Sequence, residues 1–162
     1  MHVTLTWSEV IAAALVGVMR QVQNLRDKRK DRNGCPPEEG WTFHINGACG
    51  ETALAKGRAS YWTGMGALGD LDARDVGGLQ ARTTPYPNGR LKIYPNDNDD
   101  DVFVLVRGSA PTFELVGWMT AREAKAARDD KGKDFLCDPT NGGRPPAYFV
   151  PAPVLHPMEE LP

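Results

Sequence analysis

The sequence predicts an α/β domain in which a mixed sheet of about four to six strands is flanked by helices and preceded by a long N-terminal helix. Three observations lead there. Apolar residues recur at helical intervals from Ile11 to Leu25 and again from Ile45 to Trp62. Four successive segments between Leu79 and Met119 alternate with period two. A capped helical segment starting at Thr120 then precedes the aromatic and β-branched run "AYFV".

The first helix starts after Thr6, because Glu9 stands three residues on, the spacing at which each side chain caps the other's backbone amide. Ile11, Leu15, Val18, Val22 and Leu25 then form a stripe expected to pack on the core or against a second copy of the chain. About seven turns are expected. The helix runs out into "RDKRKDR", residues 26–32, and stops in "NGCPPEEG", where glycine and proline end helical structure. The expected organisation is a helix with a basic end over residues 1–32, a linker over 33–43 and an α/β core over 44–162.

In the core, Ile45, Ala48, Thr52, Ala55, Ala59 and Trp62 mark one face of a second helix, with Glu51 on its border. A glycine-rich stretch from Gly64 to Gly69 and the acidic "DLDARDVGG" lead into the strands. "LQARTT", "RLKIYP", "VFVLVRG" and "TFELVGWM", separated by Pro, Asn, Asp and Gly, predict an antiparallel meander. Thr120 and Glu123 repeat the capping-box spacing and open the helix "TAREAKAARDDK". Gly142 and Gly143 break the chain before "AYFV", and strand, helix and strand in that order predict a right-handed parallel crossover. "PAPVLHPMEELP" closes the chain as a turn of helix or a loop.

At 162 residues the chain suffices for one domain with its own core. Nineteen basic against 21 acidic residues give a net charge of −2, so binding to nucleic acid or anionic lipid would need a local patch. Cys35, Cys49 and Cys137 are odd in number, widely spaced and far from zinc-ligand patterns, which predicts free thiols in a reducing compartment. The apolar run from Val10 to Met19 has no preceding Lys or Arg and falls short of the roughly 20 residues that cross a bilayer, so a soluble, cytoplasmic protein with no membrane partner is expected.

The chemistry concentrates around "DVGGLQARTT", residues 75–84. A helix carrying a Glu, hairpin strands with an Asp at a strand start, and a polar-x-basic triplet on the next strand resemble the PD-(D/E)XK nuclease superfamily, over roughly residues 44–152. The segments "GRLKIYPNDNDDDVFVLVRG", "FELVGWMTAREAK" and "RPPAYFVP" also resemble a group of small bacteriophage-type proteins built on that core, in which Gly117 and Trp118 would enter the helix after the strands. The resemblance implies a restriction-endonuclease-like fold and metal-dependent phosphodiester hydrolysis in the cytoplasm of an infected bacterial host. It matches Glu51 to the helix acid, Asp75 to the hairpin acid, Gln80 to the second acid and Arg82 to the lysine that activates water. Glu51, Asp75 and Gln80 would then hold Mg²⁺ or Mn²⁺, whose preference is for several hard oxygen ligands. Two letters depart from the pattern. Gln80 offers an uncharged oxygen, and Arg82 stays protonated, so it can hold a phosphate but not act as a base. Lys92 is an alternative lysine, and Asp70 and Asp72 are alternative acids. The plain alternative is that Asp75 caps a turn and Arg82 pairs with an exposed acid.

Arg26, Lys28, Arg29, Lys30, Arg32 and Lys92 are candidate phosphate contacts, and the first five equally suit a solvated helix end favoured by the dipole. Asp97, Asp99 and Asp101 share the first spacings of a calcium loop, but Val102 stands where such a loop needs glycine and Gly108 where it needs glutamate, which predicts a solvated hairpin loop. Trp7, Trp41, Trp62 and Trp118 are expected as core or hinge anchors, and His2, His44 and His156 as structural. Three functions stay open: a nuclease acting on DNA, an inactive nuclease-like fold that binds DNA or a host protein, and an assembly factor that forms a homodimer or larger oligomer through its first helix.

Overall fold

The computed structural model describes residues 1–28, 40–64, 74–137 and 145–162. In chain order these form β1 (His2–Thr4), α1 (Trp7–Arg26), α2 (Gly40–Gly57), β2 (Leu79–Thr84), β3 (Leu91–Ile93), β4 (Val102–Ser109), β5 (Thr112–Thr120), α3 (Ala121–Ala126), β6 (Leu136–Cys137) and β7 (Ala147–Val150), followed by 3-10 turns at Ala152–Val154 and Met158–Glu160. The class is mixed α/β, as the sequence predicts. The single sheet is not. Among the described residues, the strands divide into a four-stranded sheet in the order β1-β5-β4-β2 and a three-stranded sheet in the order β3-β7-β6.

The helix starts and the β4–β5 hairpin form as expected, although α3 ends at Ala126 instead of running on through "ARDDK". Both capping boxes form, with Thr6 and Thr120 each accepting from the amide three residues on while Glu9 and Glu123 reach back to the cap amide at 2.6 and 3.0 Å. β4 and β5 make the expected hairpin. β4 is a central strand, and its "FVLV" is buried on both faces, which is why it reads as a continuous apolar run.

Non-local pairing departs from the expected meander at β3. β2 runs parallel to β4 rather than antiparallel to β3. The six residues between β2 and β3 include Pro85 and Pro87, and they carry the chain across one face of the sheet instead of folding it back beside β2. Arg107 fastens this crossing by donating to the Gly89 carbonyl at 2.7 and 3.0 Å, and Arg82 by donating to the Lys92 carbonyl at 3.2 Å. β3 then pairs antiparallel with β7, so no parallel crossover joins β5 to β7. β1, which no alternation announces in three residues, closes the sheet against β5. Gly117 and Trp118 lie within β5, two residues before α3 begins its cap.

Two cores result. α1 and α2 cover the sheet face that carries Leu79, Val104 and Val106; Leu91, Ile93, Phe103, Leu105, Ala121, Ala124 and Val150 fill the other. The N-terminal helix is therefore part of the domain, with β1 ahead of it. The expected linker over 33–43 also changes, since Gly40 to Phe43 form the first turn of α2. Residues 29–39 lie outside the described residues, as do Asp70 and Asp72.

Of the stripe expected to pack on the core or against a second copy, Ile11, Leu15, Val22 and Leu25 point outward and Val18 is half-buried. The helix packs instead through Ala13, Gly17, Arg20 and Gln21. Small residues explain the choice: a Cβ on Gly17 would come within 2.5 Å of the Ile45 Cα, so the two helices meet at backbone distance. α2 answers with Ala48, Cys49, Gly50, Ala53 and Ala55, all buried. Trp7 is largely exposed at 70% and Trp41 about one-third exposed, whereas Trp62 and Trp118 are half-buried against the core.

Candidate functional site

The turn that begins "DVGG" is as tight as its glycines suggest. Val76 and Leu79 exchange both backbone hydrogen bonds around Gly77 and Gly78, whose φ values of 53° and 92° suit glycine. This folds Asp75 back along β2, an edge strand, where its Oδ2 accepts the Ala81 amide at 2.8 Å. Asp75 thus satisfies a backbone donor that the sheet leaves open.

Glu51, on α2, lies on the inner side of the same edge. Its carboxylate is gripped by Arg20 of α1 in a two-point ion pair, Nη1 to Oε1 at 2.6 Å and Nη2 to Oε2 at 2.8 Å, and Trp62 Nε1 donates to Oε2 at 3.0 Å. Arg20 Nη2 also reaches the Gly64 carbonyl at 3.4 Å. Burial opposes the Arg20 charge, but the hydrogen bonds and charge of Glu51 outweigh it and hold the guanidinium more firmly protonated than usual. Asp75 fares differently. Burial and the negative charge of Glu51 push its carboxyl up to about 7, against the opposing pull of the Ala81 amide, Arg82 and Arg20.

The remaining two residues of the nuclease pattern face elsewhere. Gln80 and Arg82 align with Phe103 and Leu105 of β4, on the sheet face opposite α2, whereas Ala81 aligns with Val104 on the α2 side. Arg82 lies over the Phe103 ring at 4.6 Å and donates to both Asp97 oxygens at 3.1 and 3.2 Å. It braces the loop before β4. The structure thus places Asp75 within reach of the Glu51 charge and separates Gln80 and Arg82 from Glu51 by the thickness of the sheet. As arranged, these donors do not fit a divalent cation, because both Glu51 oxygens already serve a cation and an indole. Among the described residues, no three acidic, His or Cys side chains are grouped to hold a metal.

The other candidates have plain partners. Arg26 pairs with Asp27 at 3.2 Å, and Lys92 sits 4.6 Å over the Tyr94 ring; Arg29, Lys30 and Arg32 lie outside the described residues. Asp97, Asp99 and Asp101 bond Arg82, Lys125 and Arg74 respectively, which makes the loop an ion-paired corner. His156 meets Glu123 at 3.1 Å and His44 meets Asn24 at 2.9 Å. Cys49 is buried, which pushes its thiol pKa up, and Cys137 is exposed; Cys35 lies outside the described residues.

Arg20, absent from the nuclease pattern, carries a sequence signal of its own. It is the lone charge between Glu9 and Arg26 on a helix that is otherwise apolar or amide-bearing over that stretch. A charge so placed, in line with Ala13 and Gly17, marks a buried ion pair.

Among the described residues, nothing covers the outer face of α1. Trp7, Ile11, Leu15, Met19, Val22 and Leu25 are each between 45% and 70% exposed. Ile11, Leu15, Val18, Val22 and Leu25 follow alternating steps of four and three, which is the heptad spacing of a helix that packs against another helix. Compared with models of known families, with curated proteins and with solved structures, the chain matches none. Among the described residues, no helix is long and apolar enough to cross a membrane.

Proposed function

We propose that this chain is a small assembly factor that works by self-association through α1. The observation that carries the reading is the unbroken apolar outer face of that helix, exposed while the opposite face is fastened to the domain by Arg20 and Gly17. An apolar surface of this extent on a soluble domain marks an interaction site. The polar cluster beneath it then serves to hold α1 in place.

A second reading, the metal-dependent nuclease or its inactive DNA-binding relative, draws on the closeness of Glu51 and Asp75. It requires Arg20 to release Glu51 before a cation can use the carboxylate.

Changing Leu15 and Val18 to Asp together tests the first reading by light scattering, because Leu15 is exposed, Val18 is half-buried beside it, and neither belongs to the packed core. Assembly should be lost with the helical signal unchanged. A wild-type chain that is monomeric at every concentration would overturn it. In the same preparations, cleavage of single- or double-stranded DNA with Mn²⁺ that disappears in Asp75→Ala would favour the nuclease reading.

A further inference from the structure

We infer that the partner of α1 is a second copy of the same chain, laid antiparallel across it in an isologous two-helix seam. This rests on the assembly reading above and gives it a geometry.

The area is right for a pair. The six exposed side chains offer about 600 Å² in one continuous strip, close to the roughly 800 Å² that each partner contributes to a stable interface. A helix of this length supplies a seam about 30 Å long. The strip carries no charge between Glu9 and Arg26, since Arg20 faces inward, so a matching apolar strip can cover it without burying an unpaired ion.

The helix ends set the direction, because heptad spacing suits a parallel or an antiparallel pair alike. In the antiparallel register centred between Val16 and Gly17, Leu15 meets Val18 and Ile11 meets Val22, while Leu25 meets the polar Ser8. A two-fold axis through that midpoint makes each contact occur twice. With Arg26 offset by Asp27, each helix end carries one net positive charge at Lys28, and parallel helices would set the two ends within a Debye length of one another. The antiparallel pair separates them by the length of the seam, opposes the two helix dipoles, and brings Arg26 toward the exposed Trp7 ring, a favourable cation–π partner.

Disulfide trapping of the full chain tests the arrangement, in a background where Cys35 and Cys137 are changed to Ser and Cys49 stays buried. Ile11→Cys and Val22→Cys are each prepared alone and also co-expressed with different tags, and each mass is measured before oxidation. The antiparallel seam predicts that the mixed pair forms a covalent dimer at least tenfold more than either variant alone. Ile11→Cys trapping with itself as well as the mixed pair would overturn the antiparallel direction while leaving self-association through α1 intact. A dimeric mass with no trapping in any combination would place the contact on another surface, and a monomeric mass would overturn both.

Discussion

Replacing Asp75 by Asn isolates the charge that sits beneath α1. The amide keeps an oxygen for the Ala81 N–H, so the turn loses no hydrogen bond. What it removes is a carboxyl pushed up to about 7 by burial and by Glu51. A carboxyl that is harder to ionise in the folded chain than in the unfolded one gives its full contribution to stability below its ordinary value of 3.8. That contribution is lost as pH rises through about 7. Raising it from 3.8 to about 7 corresponds to roughly 4 kcal/mol at most, of which about 2 to 3 kcal/mol falls between pH 5 and pH 8. The carboxyls held low elsewhere, Glu9, Asp99 and Glu123, act with the opposite sign and lose their contribution only as pH falls toward about 4. Urea unfolding of both proteins at pH 5, 6, 7 and 8 therefore has a clear expected form. Wild type weakens with rising pH, Asp75→Asn changes far less, and at pH 8 the variant is the more stable. Equal pH dependence in the two proteins, or a variant weaker than wild type at pH 8, would refute the buried-charge argument.

Other perturbations bear on the same architecture. Arg20→Met leaves Glu51 buried beside Asp75 without its cation and should cost about 3 to 5 kcal/mol in urea melts, while the further change Glu51→Leu should recover much of the loss. Gly17→Ala forces a methyl into the Ile45 backbone and should lower stability by about 2 kcal/mol or more, seen as a drop in melting temperature. Gln80→Glu and Arg82→Lys place their new groups on the far face of the sheet from Glu51, so neither should raise Mn²⁺ affinity in calorimetry; a clear gain in Gln80→Glu would return the site to the nuclease pattern.

The parts of the fold that were legible in the sequence are those decided within a few residues. Thr6 with Glu9 and Thr120 with Glu123 mark helix starts because the capping bonds are local, and Gly77-Gly78 marks a tight turn because the backbone there needs positive φ. β3 was not legible as a member of the second sheet, because its alternation fixes which residues are buried and leaves the neighbouring strand undetermined. α1 misled for a different reason. It has two apolar faces, and the close approach available at Ala13 and Gly17 outweighed the bulk of Ile11 and Leu15 in choosing which faces the core. At the candidate site, the tight turn that presents Asp75 was legible in its two glycines, whereas the Arg20 ion pair that occupies Glu51 was not. Nor was the separation of Gln80 and Arg82, since it depends on which face of β2 receives α2, a fact set by Gly50 lying against Thr83. Arg82 pairs with an acid, as the plain alternative has it, but that acid, Asp97, is half-buried rather than exposed.

The central claim is that the outer face of α1 is covered when the protein is assembled, and the methionines report on it directly. Met1 and Met19 are almost equally exposed in the single chain, at 51% and 53%, and only Met19 lies on α1. Peroxide oxidation of the native protein, followed peptide by peptide by mass spectrometry, compares the two in one sample. The account predicts that Met19 oxidises several-fold more slowly than Met1 in the wild-type protein and that the difference vanishes in the Leu15→Asp, Val18→Asp variant. Equal oxidation of Met19 and Met1 in the wild type would contradict it.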